Sequence, residues 1–258
     1  MLVLGFDTAT PAVSVALHDG ERVLSAAAAV DARRHAELLA PMIAKVMADA
    51  GVARGDLGAV AVGVGPGPYT GLRVGVVTAR VLGSVLGRPV YGVCSLDVIA
   101  TSAGPGREFV VATDARRKEV YWARYDAAGH RVAGPAVGPA SSIPEAADLA
   151  VAGAGGQLYP EAFGEVIGPA YPDAGTLCGL VARSLTASSA LPSWAAACSA
   201  AASLAASSSA ARFSSQPPLL PAEPLYLRRP DAREPGPPKR VTPYWPGGTT
   251  PPDPPATG

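Results

Sequence analysis

Two clusters in the chain carry residue types suited to phosphate chemistry. The first is Asp7 with Thr8 and Thr10, closing a short apolar run that begins at Leu2. An aspartate at a strand end can hold a metal–phosphate pair. The commoner use of Asp at such a turn is to accept backbone N–H bonds, and that reading is favoured here. The second cluster is VGVGPGPYTGLRVGV, residues 62–76. A β-branched run leads into it and an apolar helical pattern leaves it. Glycine supplies positive φ and close approach, while proline fixes φ and removes a donor. Helix N-termini attract anions. Asp7, Thr8, Gly65, Gly67 and Thr70 are therefore the candidates for anion binding.

The loop lacks the Gly-Lys-Ser/Thr ending of a phosphate-binding P-loop. Pro66 and Pro68 also remove two N–H groups that a phosphate cradle would use. A shaped contact loop is the better reading. The helix that follows carries Gly71, Gly75, Ala79 and Gly83 at steps of four. Interior glycines cost about 1 kcal/mol each relative to alanine, so close packing must compensate. Two uses stay open: approach of another helix in a four-helix contact between protomers, or tight packing on the chain's own sheet.

Other reactive types are sparse. His35 is a lone histidine at a helix start, the usual setting of a structural residue. His18 and His130 fall at predicted turns and are expected in solvent. No histidine pair has metal-ligand spacing, and Cys94, Cys178 and Cys198 form no CxxC pair, so the thiols read as reduced. GxSxG is absent. No catalytic residue and no metal site is assigned.

These groups need elements to position them. Leu2 to Asp7, Val13 to Leu17 and Arg22 to Val30 read as three antiparallel strands, with Asp19-Gly20 as a turn. Leu38, Leu39, Met42, Ile43, Val46 and Met47 mark a helix over 31–50, with Gly51 as its cap. Leu57 to Val64 is a buried-type strand, Thr70 to Leu86 a helix ending at Gly87, and Arg88 to Val93 a strand. Ser95 is expected to cap a helix reaching about Ser102. The order βββαβαβα implies a mixed sheet with helices on its faces, the ribonuclease-H-like layout. After Pro105-Gly106, Phe109 to Asp114 and Glu119 to Tyr125 restate the opening, and Val151 to Gly156 reads as a later strand and turn. The expected fold class is α/β: an actin-like, tandem two-lobed fold with mixed sheets. The expected division is 1–104, a smaller lobe over 105–230, and a Pro/Gly-rich disordered tail over 231–258. Within the second lobe, 184–211 is a charge-free Ala/Ser segment, read as low complexity and partly helical or disordered. The turn at Asp114-Ala115-Arg116 lacks the glycine that lets a phosphate approach, which weakens a nucleotide-hydrolysis reading.

Bulk composition narrows the class. Lys plus Arg and Asp plus Glu both number 21. That zero balance argues against gripping nucleic acid unaided, because such binding runs on phosphate neutralisation. The start reads as a strand and not a signal peptide, and no apolar run approaches a membrane span. A cytoplasmic location follows as an expectation.

Gly65-Pro-Gly-Pro-Tyr-Thr-Gly-Leu-Arg-Val-Gly75 resembles the GPGSFTGLRIG signature of the TsaB (YeaZ) family, with Pro68 for Ser and Tyr69 for Phe. Asp114-Ala-Arg-Arg-Lys-Glu-Val-Tyr-Trp122 resembles that family's DARMGEVYW. Phe6 to Thr10, His35 to Leu39 and Glu223 to Pro230 also fit. The resemblance covers residues 1 to about 175 and again about 219 to 241. It implies a non-catalytic, activating subunit of the complex that transfers threonylcarbamoyl to N6 of adenosine 37 in tRNAs reading ANN codons. It implies TsaD as catalytic sister subunit, TsaE as ATPase subunit, tRNA contact only through the complex, and a homodimer through the same surface. It implies no cofactor held by this chain alone, with room for a nucleotide at the partner interface. The family pairs through its first two helices. On this chain that points to His35, Leu38, Leu39, Met42, Val46, Tyr69, Gly71, Arg73, Gly75, Ala79 and Gly83. On that basis Gly75→Leu or Gly83→Leu is expected to abolish pairing and spare the monomer. The sister family's metal-binding His-x-x-x-His falls at Ser95 and Ile99 here, which cannot replace two imidazoles. The competing reading is a stand-alone actin-like ATP-dependent enzyme or peptidase-like hydrolase. A weaker third is a tRNA-docking module using Arg116, Arg117 and Lys118.

Overall fold

A computed structural model describes residues 1–104, 106–189 and 217–228. The opening apolar runs form the expected meander: β1 (Val3–Asp7), β2 (Ala12–His18) and β3 (Val23–Val30), paired antiparallel. Alternating Ala and Val in β4 (Ala59–Gly63) bury both faces of that strand, and it pairs parallel to β1. β5 (Val90–Val93) pairs parallel to β4. The first sheet has the order β3-β2-β1-β4-β5. After the crossover, β6 (Phe109–Asp114), β7 (Val120–Tyr125) and β8 (Arg131–Gly138) repeat the meander, and β9 (Ala150–Ala152) with β10 (Glu165–Val166) add parallel neighbours. The second sheet reads β10-β9-β6-β7-β8, the same order as the first. The chain is thus α/β with two ribonuclease-H-like sheets in tandem, the actin-like architecture.

Helices cover the first sheet on both sides. α1 (His35–Asp49) and α2 (Tyr69–Leu86) lie on one face, over a core that includes Leu4, Phe6, Val60, Val62, Leu72 and Val76. α5 (Ala174–Ser189) lies on the other. It approaches β1 so closely that a Cβ on Gly5 would strike the Cys178 sulfur. α3 (Ser95–Ala103) packs beside α5 and against the second sheet through Leu96, Ile99 and Ala100. Among the described residues, the outer face of the second sheet carries only α4 (Ala154–Leu158) and short 3-10 turns. Met1–Arg228 form one compact unit.

Several expected boundaries move. The first helix starts at His35 and not Asp31, because Asp31 is used in the turn leaving β3: its N–H donates to the Pro11 carbonyl and its carboxylate accepts from the Arg33 N–H. Ser95 does not cap α3; that position is Cys94, and the Ser95 hydroxyl is used elsewhere. Residues 184–189 continue α5, so this part of the Ala/Ser segment is helical. The rest of that segment and the 231–258 tail lie outside the described residues.

Candidate functional site

The Asp7 turn is built as a buried latch. The Asp7 carboxylate Oδ1 accepts the Ala9 N–H at 2.7 Å. Its Oδ2 accepts the Ser95 hydroxyl at 2.6 Å, and the Ser95 oxygen in turn accepts the Gly65 N–H at 3.2 Å. One aspartate therefore ties β1, the Gly-Pro loop and α3 together. Burial raises its pKa above the ordinary carboxylate range, against the opposing pull of Ser95 and the Ala9 N–H. Gly63 is glycine because a Cβ there would collide with the Asp7 carboxylate. Gly67 brings the Gly-Pro loop against the Ala9 backbone, where a Cβ would lie 2.9 Å from the Ala9 carbonyl carbon. Gly65 has φ of +92°, which only glycine adopts easily. Among the anion-binding candidates, Asp7, Gly65 and Gly67 are thus committed to internal contacts. Thr8 and Thr70 do border an open cavity of about 260 Å³, together with Thr10, Gly71, Tyr69 and Arg116.

Thr8 decides what the small-residue stripe is for. Its hydroxyl donates to the Gly71 carbonyl at 2.8 Å. A Cβ on Gly71 would sit 2.7 Å from the Thr8 carbonyl, and one on Gly75 would strike the Thr8 hydroxyl. A Cβ on Gly83 would strike Val90 and sit 3.0 Å from the Arg88 carbonyl. Ala79 is fully buried. The stripe therefore packs on the chain's own sheet, the second of its two open uses. Gly71, Gly75, Ala79 and Gly83 do not face outward. Leucine at 75 or 83 would disturb the monomer itself, contrary to the expectation that it would fold unchanged.

His35, Leu39, Met42 and Val46 are likewise buried on the inner side of α1, and Leu38 is half-buried. His35 Nε2 lies 2.7 Å from the Thr10 carbonyl, which fixes it as the donor and pins the start of α1 to the β1–β2 turn. His18 is also buried, contrary to expectation. Its Nδ1 accepts the Gly20 N–H at 2.9 Å, and burial lowers its pKa. His130 stays half-exposed, 3.2 Å from the Asp126 carboxylate.

The outward side of α2 carries a second row at the same period, Tyr69, Arg73, Val77, Val81 and Val85, flanked by exposed Thr70, Arg80 and Ser84. Tyr69, Val77, Val81 and Val85 are 43%, 51%, 55% and 78% exposed. Beside them α1 presents Ala36, Ala40, Ala44 and Ala48, all exposed. A shallow groove of about 480 Å³ runs between the two helices, bordered by Ala36, Ala40, Tyr69, Arg73, Val74 and Val77. Arg73 donates to the Tyr69 hydroxyl at 2.5 Å and lies 5.0 Å from its ring centre. Val77, Val81 and Val85 were not singled out from the sequence, although their spacing was legible there.

A second buried cluster joins α3 to the second sheet. The Asp97 carboxylate accepts the Tyr125 hydroxyl at 2.8 Å and lies 3.4 Å from the Arg131 guanidinium. Burial raises the Asp97 pKa and pushes the Cys94 thiol up to about 12. Such a thiol is no nucleophile. Ser95 and Ile99, at the positions of the sister family's histidines, are spent on Asp7 and on the core. Among the described residues no group of three His, Cys, Asp or Glu side chains could hold a metal ion, and no helix is long and apolar enough to cross a membrane.

Two actin-like lobes, a latched Asp7 turn and an exposed two-helix face define a class of protein, and the sequence comparisons agree. Residues 26–215 match the family described as TsaD, tRNA N6-adenosine threonylcarbamoyltransferase. A protein of Mycobacterium tuberculosis is 52% identical over 159 residues, which are 59% of this chain and 72% of that one. The tRNA threonylcarbamoyladenosine biosynthesis protein TsaB of Escherichia coli is 37% identical over 129 residues, 48% of this chain and 55% of TsaB. The solved structure of YeaZ from Pseudomonas aeruginosa is 31% identical and superposes with a TM-score of 0.63, over 72% of this chain and 94% of YeaZ. The chain belongs to the TsaB (YeaZ) family.

Proposed function

We propose that this chain serves tRNA threonylcarbamoyladenosine biosynthesis as a non-catalytic subunit that docks on a TsaD-type sister chain. The finer reading is activation of threonylcarbamoyl transfer to N6 of adenosine 37 in tRNAs reading ANN codons, in the cytoplasm, with TsaE as a further partner. The carrying observation is the exposed Tyr69–Val85 row beside the alanine face of α1. Single exposed valines are ordinary, but a helix-long apolar row beside a groove marks an interaction surface. Paired helices that each present such a row suit a four-helix contact with a similar pair. The same face serves a homodimer when the sister chain is absent, and a nucleotide at the partner interface belongs to the same reading.

The non-catalytic half of the reading is supported by how the reactive groups are spent. Asp7 is latched and Cys94 is protonated at neutral pH. The assay is tRNA modification with each purified subunit omitted in turn. The expected result is no product from this chain alone and none from the sister chain without it. Turnover by this chain alone, at the rate of the full set, would return the case to a stand-alone enzyme.

A further inference from the structure

Residues 217–228 cross the molecule without forming a helix or a named strand, yet they are fastened along their length. Leu220 exchanges both backbone hydrogen bonds with Gly92 at the edge of the first sheet, each 2.8 Å. Glycine at 92 permits this approach, since a Cβ would lie 2.6 Å from the Pro221 carbonyl. The Leu225 N–H donates to the Val64 carbonyl at 2.8 Å, just before the Gly-Pro loop. Arg228 donates to the Ala115 carbonyl at 3.0 Å and pairs with Glu119, so the segment ends on the β6–β7 turn of the second sheet. Between these anchors Tyr226 stacks on Tyr69, with ring centres 5.1 Å apart and planes at 25°. Tyr226 stays 42% exposed, much as Tyr69 does.

We propose that this segment is a strap belonging to the docking surface, and that Tyr226 is a contact residue for the sister chain. The proposal rests on the docking reading above. The Tyr226 ring continues the α2 row past the helix start, so the apolar face extends from Val85 through Tyr69 to the strap. Tyrosine is enriched at protein interfaces because one ring offers both apolar area and a polar tip. The Leu225 N–H is already bonded to Val64 and the Arg228 side chain to Ala115, so little ordering is left for binding to impose. Arg228 makes the same strap a tie between the first-lobe face and the second lobe.

Four full-length chains separate the claims: wild type, Val81→Asp, Tyr226→Ala and Tyr226→Phe. Each is titrated with the purified sister chain by calorimetry, after thermal melts confirm the fold. Tyr226→Ala is expected to weaken pairing at least about tenfold, as an interface aromatic does, and Tyr226→Phe to stay near wild type. If Val81→Asp weakens pairing and Tyr226→Ala does not, the strap proposal is overturned and the docking reading stands. If neither weakens pairing, both fall. Should Tyr226→Ala not fold, amide exchange at Leu225 and Tyr226 of the wild type decides. Slower exchange in the complex supports the strap, and unchanged exchange overturns it.

Discussion

The two sheets share one strand order but carry different outer layers. In the first, fifteen residues of α1 and eighteen of α2 cover one face. In the second, the place of α1 is taken by the 3-10 turns at Ala140–Ser142 and Ala146–Asp148, and the place of α2 by the five residues of α4. The turns after the first strands differ in the same way. Asp7 and Asp114 each accept the N–H two residues on, both at 2.7 Å. Asp7 is then sealed by Ser95, whereas Asp114 stays near the surface, 3.3 Å from the Arg116 guanidinium. The shared turn is thus a device of the topology. What differs is the layer stacked on it, and the thick layer is the one with an unpartnered apolar row.

The strongest way to break the first lobe is from inside. Gly75→Leu places a side chain where the Thr8 hydroxyl sits, and Thr8 is fixed by its bond to Gly71. Overpacking costs about 1–3 kcal/mol and occasionally more, so a denaturant melt should show a large loss of stability, or no folded protein. A melt like that of wild type would remove the claim that the stripe faces the sheet. Val81→Asp, on the opposite side of the same helix, should change stability by less than about 0.5 kcal/mol. It should lower affinity for the sister chain about a hundredfold, since it would bury an unpaired charge in the contact. Stability loss at 81 with intact pairing would reverse the assignment of the two faces.

That pair of rows also shows what could be read in advance. Gly71-Gly75-Ala79-Gly83 and Tyr69-Arg73-Val77-Val81-Val85 have the same period and lie on opposite sides of α2. Periodicity finds both rows but does not say which turns inward. Thr8 settles it, and Thr8 is 63 residues away from Gly71. The first six elements follow from local alternation and turn chemistry, so they were legible. The Ser95–Asp7 bond spans 88 residues and left no local mark. β8 carries Gly134 and Pro135, which mask a strand pattern. α5 runs from Ala174 into the Ala/Ser stretch, where no apolar stripe announces it.

A smaller effect tests the Asp7 latch by pH. Burial raises the folded pKa of Asp7 above its unfolded value. The folded state therefore holds the Asp7 proton more tightly. The stability this contributes is fully present below the ordinary carboxylate pKa, and is lost as pH rises through the raised folded value. Asp7→Asn, which cannot ionise, should flatten that decline between acid and neutral pH in a series of thermal melts. An unchanged slope would show that the latch holds a carboxylate without cost.

The smallest effect sharpens the contrast at the turn itself. Arg116, Arg117 and Lys118 have φ of 62°, 57° and 63°, three successive left-handed residues with no glycine among them. Each such residue costs about 1 kcal/mol. The first-lobe turn at Asp7 contains no such run. Lys118→Gly removes one instance of strain, partly offset by the larger entropy glycine loses on folding. The net expectation is a gain of about 0.5 kcal/mol in a denaturant melt, with pairing to the sister chain unchanged. A loss of stability would mean that the lysine side chain contributes more to the turn than its backbone strain removes. The second-lobe turn would then be held by its side chains, as the first is held by Ser95.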